Sequence, residues 1–290
     1  MIVKIKQFIR KIGVGKIIES FVRKILLTFH LNNKYILFTS KKAEKNKVNL
    51  NYCHDFKNVG DNISPRIIEF VAKKFNVDLN KNVSKTKHLY AVGSIITAGA
   101  QDCTVWGSGL LNTSILNRIN KRSLDIRAVR GPLTRVILID RGFSVPEIYG
   151  DPAILTPMFY NPTVEKKYKV SVVTHMNETN EKLPQDVHQI NIVTDDYKAF
   201  IDEIKASELV ISSSLHGIIF AESYGVPAVM LNPNKDLFKY FDYYYSTGRY
   251  TFPIAETVEE ALSTKPLEIP DFAELQKKLL GAFPIDLWEN

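Results

Sequence analysis

Residues 208–228 read ELVISSSLHGIIFAESYGVPA, and the rest of the chain is best understood outward from them. The run LVIS (209–212) has the composition of a short buried strand. A helix then begins near Leu215 and stops at Gly225 and Pro227, where a second apolar strand can start at 229–231. A serine-rich turn between strand and helix directs backbone N–H groups and the positive end of the helix dipole at one point. His216 falls in the first turn of that helix. The motif therefore describes an anion site with an imidazole beside it, with a plain serine cap and a surface histidine as the alternative.

The totals are those of a soluble globular protein. The chain has 290 residues, 45% hydrophobic and 24% charged. No run of about 18 uncharged apolar residues is present, so no spanning helix is expected, and no secretory signal is evident. Two cysteines, Cys53 and Cys103, argue against a disulfide scaffold and suit a reducing cytoplasm. No Cys, His and carboxylate cluster has zinc spacing, so no metal is expected. The net charge of +7 is unevenly placed: residues 1–50 hold twelve Lys or Arg and two acids, which leaves the remainder slightly acidic. No nucleic-acid motif accompanies this charge, and none is expected as a partner.

Residues 1–30 place Ile2, Ile5, Ile9 and Ile12, then Ile17, Phe21 and Ile25, at helical spacing among basic residues. This predicts a basic amphipathic helix, suited either to an anionic membrane surface or to packing on the body. A Lys-rich linker at 41–47 precedes a strand at 48–53. A polar loop follows, with His54, Asp55, Asn58, Gly60 at a tight turn and Asp61. Ser64 and Pro65 read as the cap and first position of a helix to about residue 75. The loop lacks G-x-G-x-x-G, so no dinucleotide is indicated. Further strands are expected at 88–94, 103–109 and 126–129, each ending in small residues. In open α/β sheets those carboxyl ends form the ligand crevice. Arg127 and Arg130 are therefore candidate anion ligands, unless one of them is a salt-bridged structural arginine. The proline-punctuated stretch 149–162 predicts a hinge between domains. A second α/β pattern follows, with strands at 168–175 and 189–194 and a helix at 197–206. After 231 comes an aromatic helix whose tyrosines are expected to pack. Helices at 258–262 and 272–280 and a docking apolar end at 283–288 complete the chain.

Seven motifs, in this order, resemble those of the polysaccharide pyruvyl transferases: NVGDNIS (58–64), WGSG (106–109), IRAVRGP (126–132), YGDPAIL (149–155), ISSSLHG (211–217), AESYGVPAV (221–229) and DYYYSTGR (242–249). The resemblance covers most of residues 50–250 and leaves the first 45 outside. It implies two Rossmann-like α/β domains facing a cleft, similar to GT-B glycosyltransferases. The expected division is 1–45 basic segment, 46–155 first domain, 156–255 second domain with the donor site, and 256–290 C-terminal helices. The implied reaction moves the enolpyruvyl group of phosphoenolpyruvate onto two hydroxyls of a sugar in a polysaccharide or lipid-linked precursor, with a cyclic ketal as product and no cofactor. The histidine of the SLHG motif, here His216, is implied to act as general acid or to bind the donor phosphate. Relatives often carry Arg two residues before it, where this chain has Ser214. The expected donor ligands are then Ser213, Ser214, Gly217 and helix N–H groups, with Arg249 and Arg130 as cations and Lys235 next. Asn58, Gly60 and Asp151 join them, and Asp61 or Asp151 would orient acceptor hydroxyls or act as base. The implied location is cytoplasmic, on the inner membrane face through the basic N-terminus. The competing readings are a nucleotide-sugar glycosyltransferase of GT-B type and a non-catalytic glycan-binding assembly protein.

Overall fold

The computed structural model describes residues 43–53, 57–99, 101–112, 119, 122–176, 183–231 and 236–289. The expected amphipathic helix at 1–30, His54, Asp55 and Lys235 lie outside them. Two parallel sheets carry the fold. The first has four strands in sequential order: β1 (Val48–Asn51), β2 (Lys87–Tyr90), β3 (Cys103–Trp106) and β4 (Leu124–Ala128). The second is ordered β6-β5-β7-β8-β9. Its strands are β5 (Tyr168–Val173), β6 (Val187–Gln189), β7 (Ser207–Ser212), β8 (Ala228–Leu231) and β9 (Ile254–Ala255). All pairings are parallel, with Leu50 beside Leu89, Val172 beside Ile211 and Ser212 beside Met230. Parallel strands are covered on both faces, which is why CTVW and AVML are buried at every position. The protein is thus a Rossmann-like α/β structure.

The helices follow the predicted order with shifted ends. Residues expected as a loop with a tight turn at Gly60 instead form one helical turn, α1 (Val59–Asn62). Asn58 caps it, its side-chain oxygen accepting from the Gly60 N–H at 3.0 Å. The next helix, α2 (Ser64–Lys74), buries Ile67, Ile68, Val71 and Ala72 at spacings of three and four. Because α1 runs directly into α2, Ser64 does not serve as its cap: the capping position is Ile63, and Ser64 Oγ is buried without a partner. The remaining helices are α3 (Pro132–Asp140), α4 (Tyr197–Lys205), α5 (Leu215–Ser223), α6 (Phe238–Ser246), α7 (Val258–Ser263) and α8 (Ala273–Gly281).

The helix of the opening motif, α5, is buried from Leu215 through Glu222. A helix apolar on every side needs neighbours all round. It finds them in β7, β8, α4 and a 3-10 helix over Pro152–Met158. That 3-10 helix is the stretch expected as an inter-domain hinge. It is not an exposed linker: Pro152 through Thr156 are buried, and Ala153, Ile154 and Leu155 join one apolar core that runs from Ile67 and Trp106 to Ile218 and Phe220. The C-terminal residues return to the first sheet, where the Trp106 indole N–H donates to Leu279 O at 2.8 Å and Phe283 stacks with Trp288. Arg127 belongs to this docking. Its guanidinium grips both carboxylate oxygens of Asp286, at 2.9 and 2.7 Å, so it is the structural arginine of the two considered.

Among the described residues no helix is long and apolar enough to cross a membrane.

Candidate functional site

A cavity of about 190 Å³ opens where the carboxyl ends of the strands of both sheets meet, the position expected for a ligand crevice. The first half contributes Asn58, Asp61 and Arg130, and Asp151 stands at the start of the 3-10 helix. The second contributes Ser214 and His216 from the start of α5. Six of the residues singled out from the sequence therefore line one space. His175, Lys239 and Gly93 line it as well and were not singled out from the sequence, although 88–94 and 168–175 were expected to end at this crevice.

The three serines of the SSS turn divide their work. Ser212 Oγ accepts from the Ser214 N–H at 3.0 Å and lies 2.9 Å from the carbonyls of Val173 and Ser214, tying the turn to β5. Ser213 does not line the cavity. Its hydroxyl accepts from the His175 N–H at 3.0 Å, its own N–H donates to Val173 O, and its carbonyl receives the Tyr240 hydroxyl at 2.7 Å. Ser213 is thus a support for His175 and Tyr240 rather than the expected donor ligand. Only Ser214 faces the ligand space, beside the N–H groups that a helix start leaves without intrahelical partners. Gly217 is also a packing position: a Cβ there would meet Ser212 Oγ at 2.2 Å.

His216 is wedged between the halves. A Cβ added at Gly60 would lie 2.1 Å from its Nδ1 and 2.3 Å from its Cγ, so the missing side chain of Gly60 is the space the imidazole occupies. On the other side, Nε2 lies 3.8 Å from Asp151 Oδ2. Both atoms are buried and neither has a hydrogen-bond partner. Asp151 is held by its other oxygen, which accepts from the Ala153 N–H at 3.0 Å. Two unpartnered polar atoms facing one another beside a cavity mark a site built for a further polar group or a proton.

The electrostatics are those of a water-poor pocket. Burial, helped by Lys239, Arg130 and His175, pushes the His216 imidazole down to about 3, so it is neutral as the protein stands. Burial and the neighbouring Asp151 push Asp61 up to about 7, against the pull of Lys239. Burial raises Asp151 to about 6, opposed by the Ala153 N–H and by Arg130. Two carboxyls poised near neutrality beside a neutral histidine can hold and release a proton in the working pH range.

Arg130 reaches the cavity in a fixed posture. It is fully buried, with Nη2 3.0 Å and Nε 3.1 Å from Asp242 Oδ2, and it donates to Leu110 O and to Ser94 Oγ at 2.6 Å each. Arg249 is elsewhere. Its fork is taken by Glu222 of α5, at 2.6 and 2.7 Å, and its plane covers the Tyr244 ring at 4.6 Å. Expected as a donor cation, it is a clamp on the loop after α6. The aromatic segment packs as expected, with Tyr240, Tyr243 and Tyr244 buried. Among the described residues no group of three or more His, Cys, Asp or Glu is arranged to hold a metal ion.

A Rossmann-like α/β protein with a buried histidine and two buried carboxyls beside a cavity at a helix start is the class that fold and site define. Comparison with known proteins narrows it. The family model for polysaccharide pyruvyl transferase matches residues 6–235, and the chain belongs to that family. The match begins well before residue 45, so the first 45 residues are not outside the family region as the motifs alone suggested. The chain is 29% identical over 225 residues to the uncharacterized protein L143 of Acanthamoeba polyphaga mimivirus, covering 70% of this chain and 76% of that one. It is 29% identical over 206 residues to the succinoglycan biosynthesis protein ExoV of Rhizobium meliloti (strain 1021), covering 66% of this chain and 62% of ExoV. A crystal structure of a functionally uncharacterized Klebsiella pneumoniae protein aligns at a TM-score of 0.48 with 12% identity, over 78% of this chain and 93% of that one.

Proposed function

We propose that the protein transfers pyruvate from phosphoenolpyruvate to two hydroxyls of a sugar, in a polysaccharide or its lipid-linked precursor, closing a cyclic ketal. The observation that carries this reading is the buried His216–Asp151 pair at the α5 start, in a chain that belongs to the polysaccharide pyruvyl transferase family. Similarity to a succinoglycan biosynthesis protein supports an exopolysaccharide acceptor. We read the two sheets as two Rossmann-like domains, roughly 46–155 and 156–255, arranged as in GT-B enzymes, with the cavity in the cleft.

Phosphoenolpyruvate brings a phosphate and a carboxylate on a three-carbon frame. The α5 N-terminus and the Ser214 hydroxyl receive an anion well. Its negative charge reverses the balance at His216: the imidazole, neutral in the free site, takes up a proton when a dianion lies beside it. His216 then protonates the methylene carbon, giving an oxocarbenium-like centre. One sugar hydroxyl adds to that centre and loses its proton. The second displaces phosphate and loses its own, so that donor and diol become ketal and inorganic phosphate. In this reading Asp61, raised to about 7, accepts a hydroxyl proton, and Asp151, 3.8 Å from His216 Nε2, steadies the imidazolium. Asn58 shapes the floor by capping α1, its amide donating to Met176 Sδ.

The test is mass spectrometry of candidate oligosaccharides incubated with protein and phosphoenolpyruvate. A gain of about 70 Da, pyruvic acid less water, is expected with release of one phosphate. Transfer of a sugar from a nucleotide donor instead would overturn the reading. His216→Ala should keep donor binding and lose turnover about 100-fold or more; near-normal turnover would remove His216 from the role.

The basic N-terminal segment is read as a contact with the anionic inner membrane surface that carries the lipid-linked acceptor. Deleting residues 1–40 should reduce co-sedimentation with anionic vesicles, and unchanged sedimentation rules that contact out.

A further inference from the structure

One hydroxyl at the cavity has a fixed acceptor side and an open donor side. Ser94 follows β2 and lines the cavity together with Asp61, Asp151 and His216. Its Oγ accepts from Arg130 Nη1 at 2.6 Å. A guanidinium only donates, so the hydroxyl hydrogen of Ser94 needs a different group to accept it. Among the described residues it has none. Ser94 is half-buried at the cavity wall, and its hydrogen is left for whatever fills the cavity.

The backbone around Ser94 is fixed on both sides. The Gly93 carbonyl accepts from the Ser108 hydroxyl at 2.7 Å and from the Gly109 N–H at 3.1 Å, and the Ile95 N–H donates to Ser108 Oγ at 3.3 Å. Further along the same loop, buried Arg122 donates to Ile96 O, and to Ala98 O at 2.7 Å, where the Tyr90 hydroxyl also donates at 2.9 Å. Arg130 is held in turn by Asp242 and Leu110 O. Gly93 brings both carboxyls to this wall. Asp61 Oδ1 lies 2.9 Å from where a Cβ at Gly93 would stand, and the Gly93 N–H helps to hold the Asp151 carboxyl down. A hydroxyl whose oxygen already accepts from a charged group donates more strongly than a free one. Ser94 is therefore a preorganised, polarised donor one residue from the point where Asp61 touches the backbone.

We propose that Ser94 binds the acceptor, its hydroxyl donating a hydrogen bond to the sugar oxygen that attacks. This rests on the reaction read above and adds to it a contact on the acceptor side. An attacking hydroxyl has one hydrogen and two lone pairs to place. Its hydrogen goes to Asp61, one lone pair accepts from Ser94, and the other is left aimed at the cationic carbon. In the step itself the new C–O bond forms as the hydroxyl proton passes to Asp61, and Ser94 keeps its own proton throughout. Arg130, tied to Asp242, acts on the sugar through Ser94 rather than by following it.

The experiment compares the full-length protein with its Ser94→Ala and Ser94→Thr variants. The probes are phosphoenolpyruvate, titrated by calorimetry, and the methyl glycosides of glucose, galactose and mannose, whose binding is followed by saturation-transfer NMR and whose turnover is followed by phosphate release. Ser94→Ala should lower kcat/KM for the glycoside by about tenfold or more, the scale of one hydrogen bond, and weaken its binding. It should leave the dissociation constant for phosphoenolpyruvate within about twofold of wild type. Ser94→Thr keeps a hydroxyl and should recover most of the loss. If Ser94→Ala turns over and binds the glycoside as the wild type does, the assignment of Ser94 fails and the reaction reading stands. Weakened phosphoenolpyruvate with unchanged glycoside binding places Ser94 on the donor and also overturns the assignment. Equal losses in both variants, with a lowered urea midpoint, mean that Ser94 only supports Arg130, which overturns it again. If the wild type binds a glycoside and Ser94→Ala weakens it, yet no phosphate is released from phosphoenolpyruvate, Ser94 keeps its acceptor role and the reaction reading fails. Binding of no glycoside by the wild type, with no phosphate release, overturns both.

Discussion

Replacing Gly60 by alanine tests whether the placement of His216 matters. Gly60 sits inside α1 and has no positive φ, so its backbone accepts any residue. Alanine there should favour the helix by about 0.8–1.0 kcal/mol. Against this stands the overlap with the imidazole, with the new Cβ 2.1 Å from Nδ1, 2.3 Å from Cγ and 2.6 Å from Cβ of His216. Ordinary contact begins at 3.4 Å, so the ring must move by about 1.3 Å. Overpacking of this kind costs about 1–3 kcal/mol, which leaves a net destabilisation of no more than about 2 kcal/mol. Catalysis should suffer far more, because a misplacement of about 1 Å lowers rates by about 100-fold. The assay is the initial rate of phosphate release from phosphoenolpyruvate in the presence of acceptor, with urea denaturation run in parallel. The variant should lose about 100-fold in kcat while remaining folded. In the background of His216→Gly the ring atoms and the Cβ that clash are gone, so Gly60→Ala should add little further loss, a non-additive pair. A folded Gly60→Ala protein with a rate within about twofold of wild type would refute the claim that the observed imidazole position is the working one.

Two further outcomes follow from buried charge. Asp242→Ala removes the carboxylate paired with Arg130 and strips the Thr134 N–H of its acceptor, so unfolding in urea should show a loss of about 3–5 kcal/mol; a loss under about 1 kcal/mol would mean that the pair does little to hold the halves together. Asp61 is raised from 3.8 to about 7, so the stability attached to its protonated form is complete below about pH 4 and is lost as pH rises through 7. His216 is depressed from 6.5 to about 3 and has the opposite sign, its contribution present above pH 6.5 and lost as pH falls toward 3, but it is common to both proteins. Asp61→Asn should therefore gain on the wild type between pH 4.5 and 7.5, read as urea midpoints at the two pH values, and an equal difference at both would contradict the burial of Asp61.

The alternation of strands and helices was legible because parallel strands buried on both faces read as apolar runs bounded by Gly, Ser or Pro, as at Cys103–Trp106 and Ala228–Leu231. The gathering of Asn58, Asp61, Arg130, Asp151, Ser214 and His216 was legible too, since each lies at a strand's carboxyl end or the helix start after it. Finer assignments depended on tertiary partners that no local pattern records. The three serines look alike in sequence, and only Val173 and His175 of β5 and its following loop decide which of them turns away from the cavity. Arg249 was expected as a donor cation from its place in DYYYSTGR, with Ser214 bringing no charge of its own. Its partner, Glu222, is 27 residues away on α5.

The site also explains why motifs more than 150 residues apart in sequence must be read together. NVGDNIS supplies an absent side chain at Gly60 and a carboxyl at Asp61 on the same helical turn, and ISSSLHG supplies the imidazole that fills the absence. Neither half holds a complete proton-handling group. The histidine of the second half is buried and without a hydrogen-bond partner at Nε2, and the first half sets Asp151 Oδ2 3.8 Å from it. The distance between them is set by the apolar core that both halves share and by the buried Arg130–Asp242 pair, which also carries α6 and Lys239. One ion pair therefore helps position the carboxyls of one half relative to the histidine of the other. A change at Asp242 should therefore lower stability and turnover together, whereas a change at Gly60 should lower turnover with little effect on stability.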